Sequence, residues 1–314
     1  MQPRWPPAVR DRLEHRPPRE PVDRIFDGWR TLATASFVVT YLLILLGGVV
    51  RITGSGMGCG DDWPMCNGQW FPPMDLATFI EWSHRLVAAL VSVLVVSLAA
   101  WGLWRRRAAR WTGRARYGLA AFTLLVIQVL LGAITVWLEL PPASVILHLG
   151  TAMALLAVLL LAALGAPDVS AAGPPDGVAR MAISLAAFGG VVVLLGALVA
   201  NLGAAAACQG FPLCNGSFVP DGHWRIHLHW THRLAAYVAV AGILALPRVG
   251  RGRARGTAWL AVVLAVGQVA VAAVMVLRLL PGALQATHLA IGTALFAALV
   301  AHAYRITRAP VAHS

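Results

Sequence analysis

Residues 81–101 read EWSHRLVAALVSVLVVSLAAW: a carboxylate, a histidine and an arginine within five positions, then sixteen residues without a charge. An apolar run of this length, extended to 79–103 by its flanks, is long enough to cross a hydrocarbon layer as a helix. The ionisable cluster sits at one end of the run, where the helix would meet the headgroups. The same arrangement returns further along the chain, where WSHRLVA at 82–88 is answered by WTHRLAA at 230–236.

The rest of the chain fits that reading. Of its 314 residues, 59% are hydrophobic and only 12% charged. A soluble domain could not hide so much apolar surface, whereas a bilayer supplies the apolar solvent. Further runs of spanning length fall near 31–50, 117–138 and 145–165, and a second set near 180–200, 229–247, 257–278 and 285–305. The sequence therefore predicts an all-α integral membrane protein of eight transmembrane helices, arranged as two pseudo-twofold-related four-helix bundles.

A net charge of +12 invites a nucleic-acid reading, but its distribution excludes it. All 25 basic residues are arginine. They gather in the N-terminal 30 residues, between Arg105 and Arg116, and between Arg248 and Arg255, which are alternate connections. That is the pattern of the positive-inside rule. It places both termini in the cytoplasm and the long loops near 51–78 and 201–228 outside the cell membrane, with only Arg51, Arg85, Arg225, Arg233 and Arg278 on the outer side. The first 30 residues are polar and Pro-rich and lack a short apolar core, so an uncleaved first span is expected to act as the insertion signal.

The organisation expected is a disordered cytoplasmic tail over 1–30, an N-terminal half over 31–165, an Ala/Pro/Gly linker over 166–179, a C-terminal half over 180–305 and a short cytoplasmic tail over 306–314. The halves repeat one another. GCGDDWPMCNGQWFPP at 58–73 matches ACQGFPLCNGSFVP at 207–220, and Gln128 and His148 have the same spacing as Gln268 and His288. The offset between halves is 148 residues at His84/His232 and 140 at His148/His288. Four helices per repeat give both halves the same orientation in the membrane.

Four repeated histidines, His84, His148, His232 and His288, fall near the outer ends of the even-numbered spans. Ionisable groups within spans are rare and usually functional, and two neutral imidazoles facing one another suit axial ligation of a haem iron. His84 can face His148 and His232 can face His288. Zinc is the competing metal; it wants further ligands, which Glu81 could supply in the first half only. His223, His227 and His229 crowd His232, which is preferred because it aligns with His84. Arg85 and Arg233 could pair with a haem propionate or anchor the helix end. Cys59 with Cys66, and Cys208 with Cys214, lie in outward loops where disulfides form readily; each pair could brace its loop, and a redox role is open for the first. Glu81 precedes His84 by one helical turn, on the same face, whereas its counterpart is His229. A carboxylate there could act as acid, base or electrostatic stabiliser, which suggests that one half reacts and the other holds a permanent cofactor.

The segments TGSGMGCGDDWPMCNGQWFPP (53–73), EWSHR (81–85), QVLLGAITVWLELPP (128–142), HLG (148–150), CQGFPLCNG (208–216) and THR (231–233) together resemble the haem A synthase family, over essentially the whole chain after the N-terminal tail. The resemblance implies a haem b on His232 and His288, and a substrate site for haem O on His84 and His148 with Glu81 as the essential carboxylate. It implies a redox role for Cys59 and Cys66 and a second disulfide between Cys208 and Cys214. The activity implied is oxidation of the C8 methyl of haem O to a formyl group through hydroxylated intermediates, giving haem A for terminal oxidases. The haem O-producing farnesyltransferase and an electron donor are the partners implied, beside the bilayer and the haem O substrate. Two other classes compete: a di-haem b-type cytochrome that relays electrons without altering haem, and a transporter, which would place its ionisable groups near the midplane.

Overall fold

The computed structural model describes residues 21–105, 112–165, 176–249 and 254–308. They form eight helices: α1 Pro21–Ile52, α2 Leu76–Arg105, α3 Thr112–Trp137, α4 Pro142–Ala163, α5 Gly177–Asn201, α6 Trp224–Val249, α7 Arg255–Leu277 and α8 Gly282–Thr307. All eight carry a stretch long and apolar enough to cross a membrane. The shortest, of 22 residues, is about 33 Å long at 1.5 Å per residue, which matches a hydrocarbon core of about 30 Å.

Helix starts differ from the sequence expectation where polar residues mask them. The first helix already runs from Pro21, the first described residue, rather than from after residue 30. Residues 1–20 and most of the expected linker, 166–175, lie outside the described residues, as does 309–314. Helix α5 begins at Gly177 because the Asp176 side chain accepts the Ala179 N–H (2.8 Å), an N-cap ahead of the apolar run. Helix α6 starts five residues before its apolar run, through His227 and Arg225.

Each half closes its four helices in the same order. In the first, α1 packs on α2 and α4, and α3 packs on both α2 and α4; in the second, α5 packs on α6 and α8, and α7 on both α6 and α8. The halves meet along α1, α4, α5 and α8. There the Tyr41 hydroxyl donates to the Ala290 carbonyl (3.0 Å) and the Arg51 guanidinium to the Ala200 carbonyl (2.6 Å).

Apolar residues on the outer faces stay exposed, among them Leu42, Val93, Val238 and Val263. That surface is a liability in water and an asset in lipid. Exposed aromatic residues mark both rims of the bundle: Trp70, Phe71, Trp137 and Trp224 at the end carrying the cysteine loops, and Trp104 and Trp259 at the other. Aromatic belts of this kind sit at membrane interfaces. The α3–α4 and α7–α8 corners are built alike. Glu139 and Leu140, and again Leu279 and Leu280, take positive φ, followed in each case by proline. The second residue of each pair donates its N–H back to the fifth residue before it, Thr135 or Met275.

Candidate functional site

The four repeated histidines lie eight or six residues into α2, α4, α6 and α8, all entered from the cysteine-loop end. That puts them at one depth, about 9–12 Å inside the helix starts. His84 and His148 are close enough to interact electrostatically, as are His232 and His288. The structure thus brings together the two pairs expected from the repeat.

All four rings share an unusual feature. Nδ1 of His84, His148, His232 and His288 is buried and has no hydrogen-bond partner, and so is Oε1 of Gln128 and Gln268. Buried polar atoms are almost always paired, because leaving one unpaired costs about 1–3 kcal/mol. Six orphans at matching positions in two halves mark places prepared for something outside the chain. The rings are also set against glycine. A Cβ on Gly47, Gly132 or Gly196 would lie 3.1, 3.2 or 3.0 Å from Cε1 of His84, His148 or His232 respectively. Only glycine lets these rings lie back against the neighbouring helix.

The amide of Gln128 on α3 meets Nε2 of His148 on α4 at 3.0 Å, and Gln268 on α7 meets His288 on α8 at 3.2 Å. The spacing of these pairs is visible in the sequence; their contact across two helices is not.

Above the histidines, each cysteine loop folds over the helix ends. Cys59–Cys66 and Cys208–Cys214 are both disulfide-bonded and buried. Asn67 and Asn215, at positive φ, follow the second cysteine of each, and their side-chain amides donate to the Gly58 and Ala207 carbonyls. The first loop presses so closely on the start of α2 that a Cβ on Gly58 would fall 2.5 Å from the Ala77 carbonyl carbon. The Thr78 hydroxyl donates to the Gly58 carbonyl at 2.8 Å. At the foot of this contact, the Asp75 carboxylate accepts the Thr78 N–H (2.8 Å), which holds it below the usual carboxylate range.

An arginine fastens each loop to its helix. Arg85 donates to the carbonyls of Asp62 (2.6 Å) and Met65, and through Nη2 to Glu81 Oε1 (2.7 Å). The other Glu81 oxygen accepts the Cys59 N–H at 2.9 Å. This carboxylate, 4% exposed, is thereby tied to the disulfide and to Arg85 at once. In the second half Arg233 donates to the carbonyls of Cys208 (2.7 Å), Gly210 and Leu213 (both 2.9 Å). His229 replaces the carboxylate: its Nδ1 meets the Ala204 carbonyl (3.2 Å) and its Nε2 accepts the Arg233 Nε–H (3.4 Å).

Both His229 nitrogens are therefore used by the protein, which separates it from His232. His227 and His223 are likewise engaged locally, by the Gly222 carbonyl and the Arg225 N–H. Of five N–H donors each, Arg85 spends two on loop carbonyls and one on Glu81, and Arg233 three on loop carbonyls and one on His229, which leaves two and one for the propionate role considered for them. Sequence reasoning does not reach the loop-fastening role, because it depends on residues 20–25 positions away whose backbone carbonyls leave no mark in sequence.

Among the described residues, no group of three or more His, Cys, Asp or Glu gathers as a metal cage. The histidine donors come instead in two pairs, one in each half, on helices that are otherwise apolar. That set suits a planar macrocycle carrying its own four equatorial ligands and needing only two more, and the orphaned Nδ1 atoms fit it. Zinc, which takes three or four protein ligands, does not fit.

Comparison with known proteins agrees with this chemistry. The sequence model of a family described as cytochrome oxidase assembly protein matches residues 30–300. A heme A synthase of Symbiobacterium thermophilum is 36% identical over 257 residues, covering 77% of this chain and 83% of its own. Heme A synthases of Alkalihalophilus pseudofirmus and Shouchella clausii are each 35% identical, over 211 and 229 residues. They cover 65% and 70% of this chain, and 70% and 75% of their own.

Proposed function

The chain belongs to the haem A synthase family, and from that premise we propose that it oxidises haem O to haem A, converting the C8 methyl to a formyl group. The observation that carries this reading is the set of four half-buried histidines, two in each half, whose buried Nδ1 atoms have no partner in the protein. His84 and His148 are the substrate ligands for haem O; His232 and His288 hold a resident haem b. When bound, haem b supplies one-electron redox chemistry on the C-terminal side.

The protein's own groups do the rest. The rings pack back against glycines of the neighbouring helices, and a site between membrane helices suits a substrate with a long isoprenoid tail. The cysteine loop caps the outer end and restricts bulk solvent, while the conversion of methyl to formyl takes its oxygen from a water admitted to the site and passes its four electrons to an external acceptor. Glu81, one turn before His84, holds negative charge where oxidation of a methyl group develops positive charge. Its orientation is set by the Cys59 N–H and Arg85, so that it needs no rearrangement during the reaction. Arg85 and Arg233 serve by fastening the loops rather than by binding propionates. Cys59–Cys66 is the redox-capable pair on this reading, its loop tied to Glu81 through the Cys59 N–H, while Cys208–Cys214 braces the second loop. The arginine distribution supports a cell-membrane protein with cytoplasmic termini and cysteine loops outside. An upstream haem O-producing farnesyltransferase and that external acceptor complete the pathway on this reading.

The test is to purify the protein in detergent from a host that makes haem O and to identify its extracted haems by chromatography with mass detection. Haem b together with haem O, a hydroxylated form or haem A is the expected result. Haem b alone, with haem O available, overturns it in favour of a di-haem electron-transfer cytochrome.

A further inference from the structure

We infer that the two axial histidines of each half are unequal. Gln128 and Gln268 act as positioning residues that make His148 and His288 the fixed ligands, leaving His84 and His232 as the ones that let go. The inference rests on the haem-ligand reading above and deepens it.

The glutamine contact is present in both halves, and the untied partner is plainest in the first, since His232 has the Val192 backbone within hydrogen-bonding reach. His148 and His288 each have a glutamine amide on Nε2, at 3.0 and 3.2 Å, contributed by a different helix. With the amide oxygen turned to the ring it accepts the Nε2–H, which fixes the plane of the ring and leaves the Nδ1 lone pair free. No side chain bonds to His84 or His232 among the described residues. Their rings lean on Gly47 and Gly196, and His232 also approaches the Val192 backbone. Packing on glycine positions a ring but does not tie down its rotation as a hydrogen bond does. A metal-bound histidine generally has its second nitrogen hydrogen-bonded, which orients the ring and strengthens the ligand. By that rule, one partner in each pair is anchored and the other is not.

In the first half this asymmetry has a use. A product must leave a site that holds its iron from both sides, and releasing both ligands together is costly. A weak ligand opens one face first. That ligand is His84, which shares a helix turn with Glu81, so the face that opens is the one carrying the carboxylate. In the second half the same glutamine secures a cofactor that stays.

The experiment uses the full-length protein in detergent with haem b loaded, comparing His232→Ala, His288→Ala and Gln268→Leu. Bound haem b per chain, its spin state and its binding of carbon monoxide are the readouts. His232→Ala is expected to keep haem b, now five-coordinate, high-spin and open to carbon monoxide. His288→Ala is expected to lose it, and Gln268→Leu to weaken it by about ten- to a hundred-fold while shifting its midpoint potential. His288→Gly with added imidazole controls for folding, since a folded chain regains haem and a misfolded one does not. Equal loss from His232→Ala and His288→Ala, or an unchanged affinity and potential in Gln268→Leu, overturns the inference. Full low-spin haem b in both histidine variants would instead remove the ligand assignment on which it rests.

Discussion

Replacing Arg85 by methionine should release the first cysteine loop without unfolding the bundle. The side chain bridges two loop carbonyls and Glu81. Glu81 is 4% exposed, so loss of its partner leaves a carboxylate held by the Cys59 N–H alone. Breaking one side of a fully buried ion pair costs about 3–5 kcal/mol. Arg85 is 15% exposed, and water reaches Glu81 once the loop loosens, so a lower figure of about 2–3 kcal/mol applies. Because these bonds hold the loop to the start of α2 and none of them joins one helix to another, the cost falls on local opening rather than on global unfolding. At tenfold per about 1.4 kcal/mol, the open fraction rises by roughly 30- to 150-fold. The assay is the rate at which Cys59–Cys66 is reduced and alkylated, in a Cys208→Ser/Cys214→Ser background. Glu81→Gln should accelerate labelling less, because the amide still accepts the Cys59 N–H. The double variant should cost less than the two single costs added together, since Arg85 and Glu81 share one bond. Wild-type labelling rates in Arg85→Met, or strict additivity in the double variant, would refute the clamp.

Two further outcomes follow from local geometry. Gly196→Ala puts a methyl 3.0 Å from Cε1 of His232, tilting the ring; the low-spin absorbance of bound haem b should broaden or fall while helix content by circular dichroism stays constant. Asp75 has its pKa lowered by the Thr78 N–H, so its contribution to stability is complete above the unfolded carboxylate pKa and disappears as pH falls through the lower folded value. Melting in detergent should therefore lose stability on acidification through and below the usual carboxylate range, and Asp75→Asn should flatten that part of the profile.

The eight spans were legible because lipid imposes length and apolarity on every crossing helix, and the duplication was legible because loops, histidines and glutamines recur at matching offsets. Helix α6 was the hardest to bound. Its span has the lowest mean hydropathy of the eight, 1.2, since His227, His229, His232 and Arg233 dilute the apolar signal where the site is built. Functional polarity and spanning hydropathy compete for the same residues there. The contacts of Glu81 with Cys59 and of Arg233 with Cys208 were not legible, because a backbone donor or acceptor carries no residue identity. The glycines under the rings were equally silent, as glycine is frequent in membrane helices for several reasons.

The single exchange of Glu81 for His229 then acquires a physical meaning beyond sequence asymmetry. Both residues do the same mechanical work, linking the loop to the arginine one turn later. Their charges differ. Arg85 is neutralised by Glu81 at 2.7 Å, whereas Arg233, itself buried, is met only by three carbonyls and a histidine among the described residues. The second half therefore keeps a cation above its histidine pair, whereas the first carries a neutral Glu81–Arg85 pair beside His84. In a low-dielectric setting such charges act strongly. A fixed cation favours a bound group that has gained an electron, and a neutralised pair does not. On the proposed reading, one substitution on a duplicated scaffold makes the second site the better holder of electrons, which is the direction that oxidation of haem O in the N-terminal half requires.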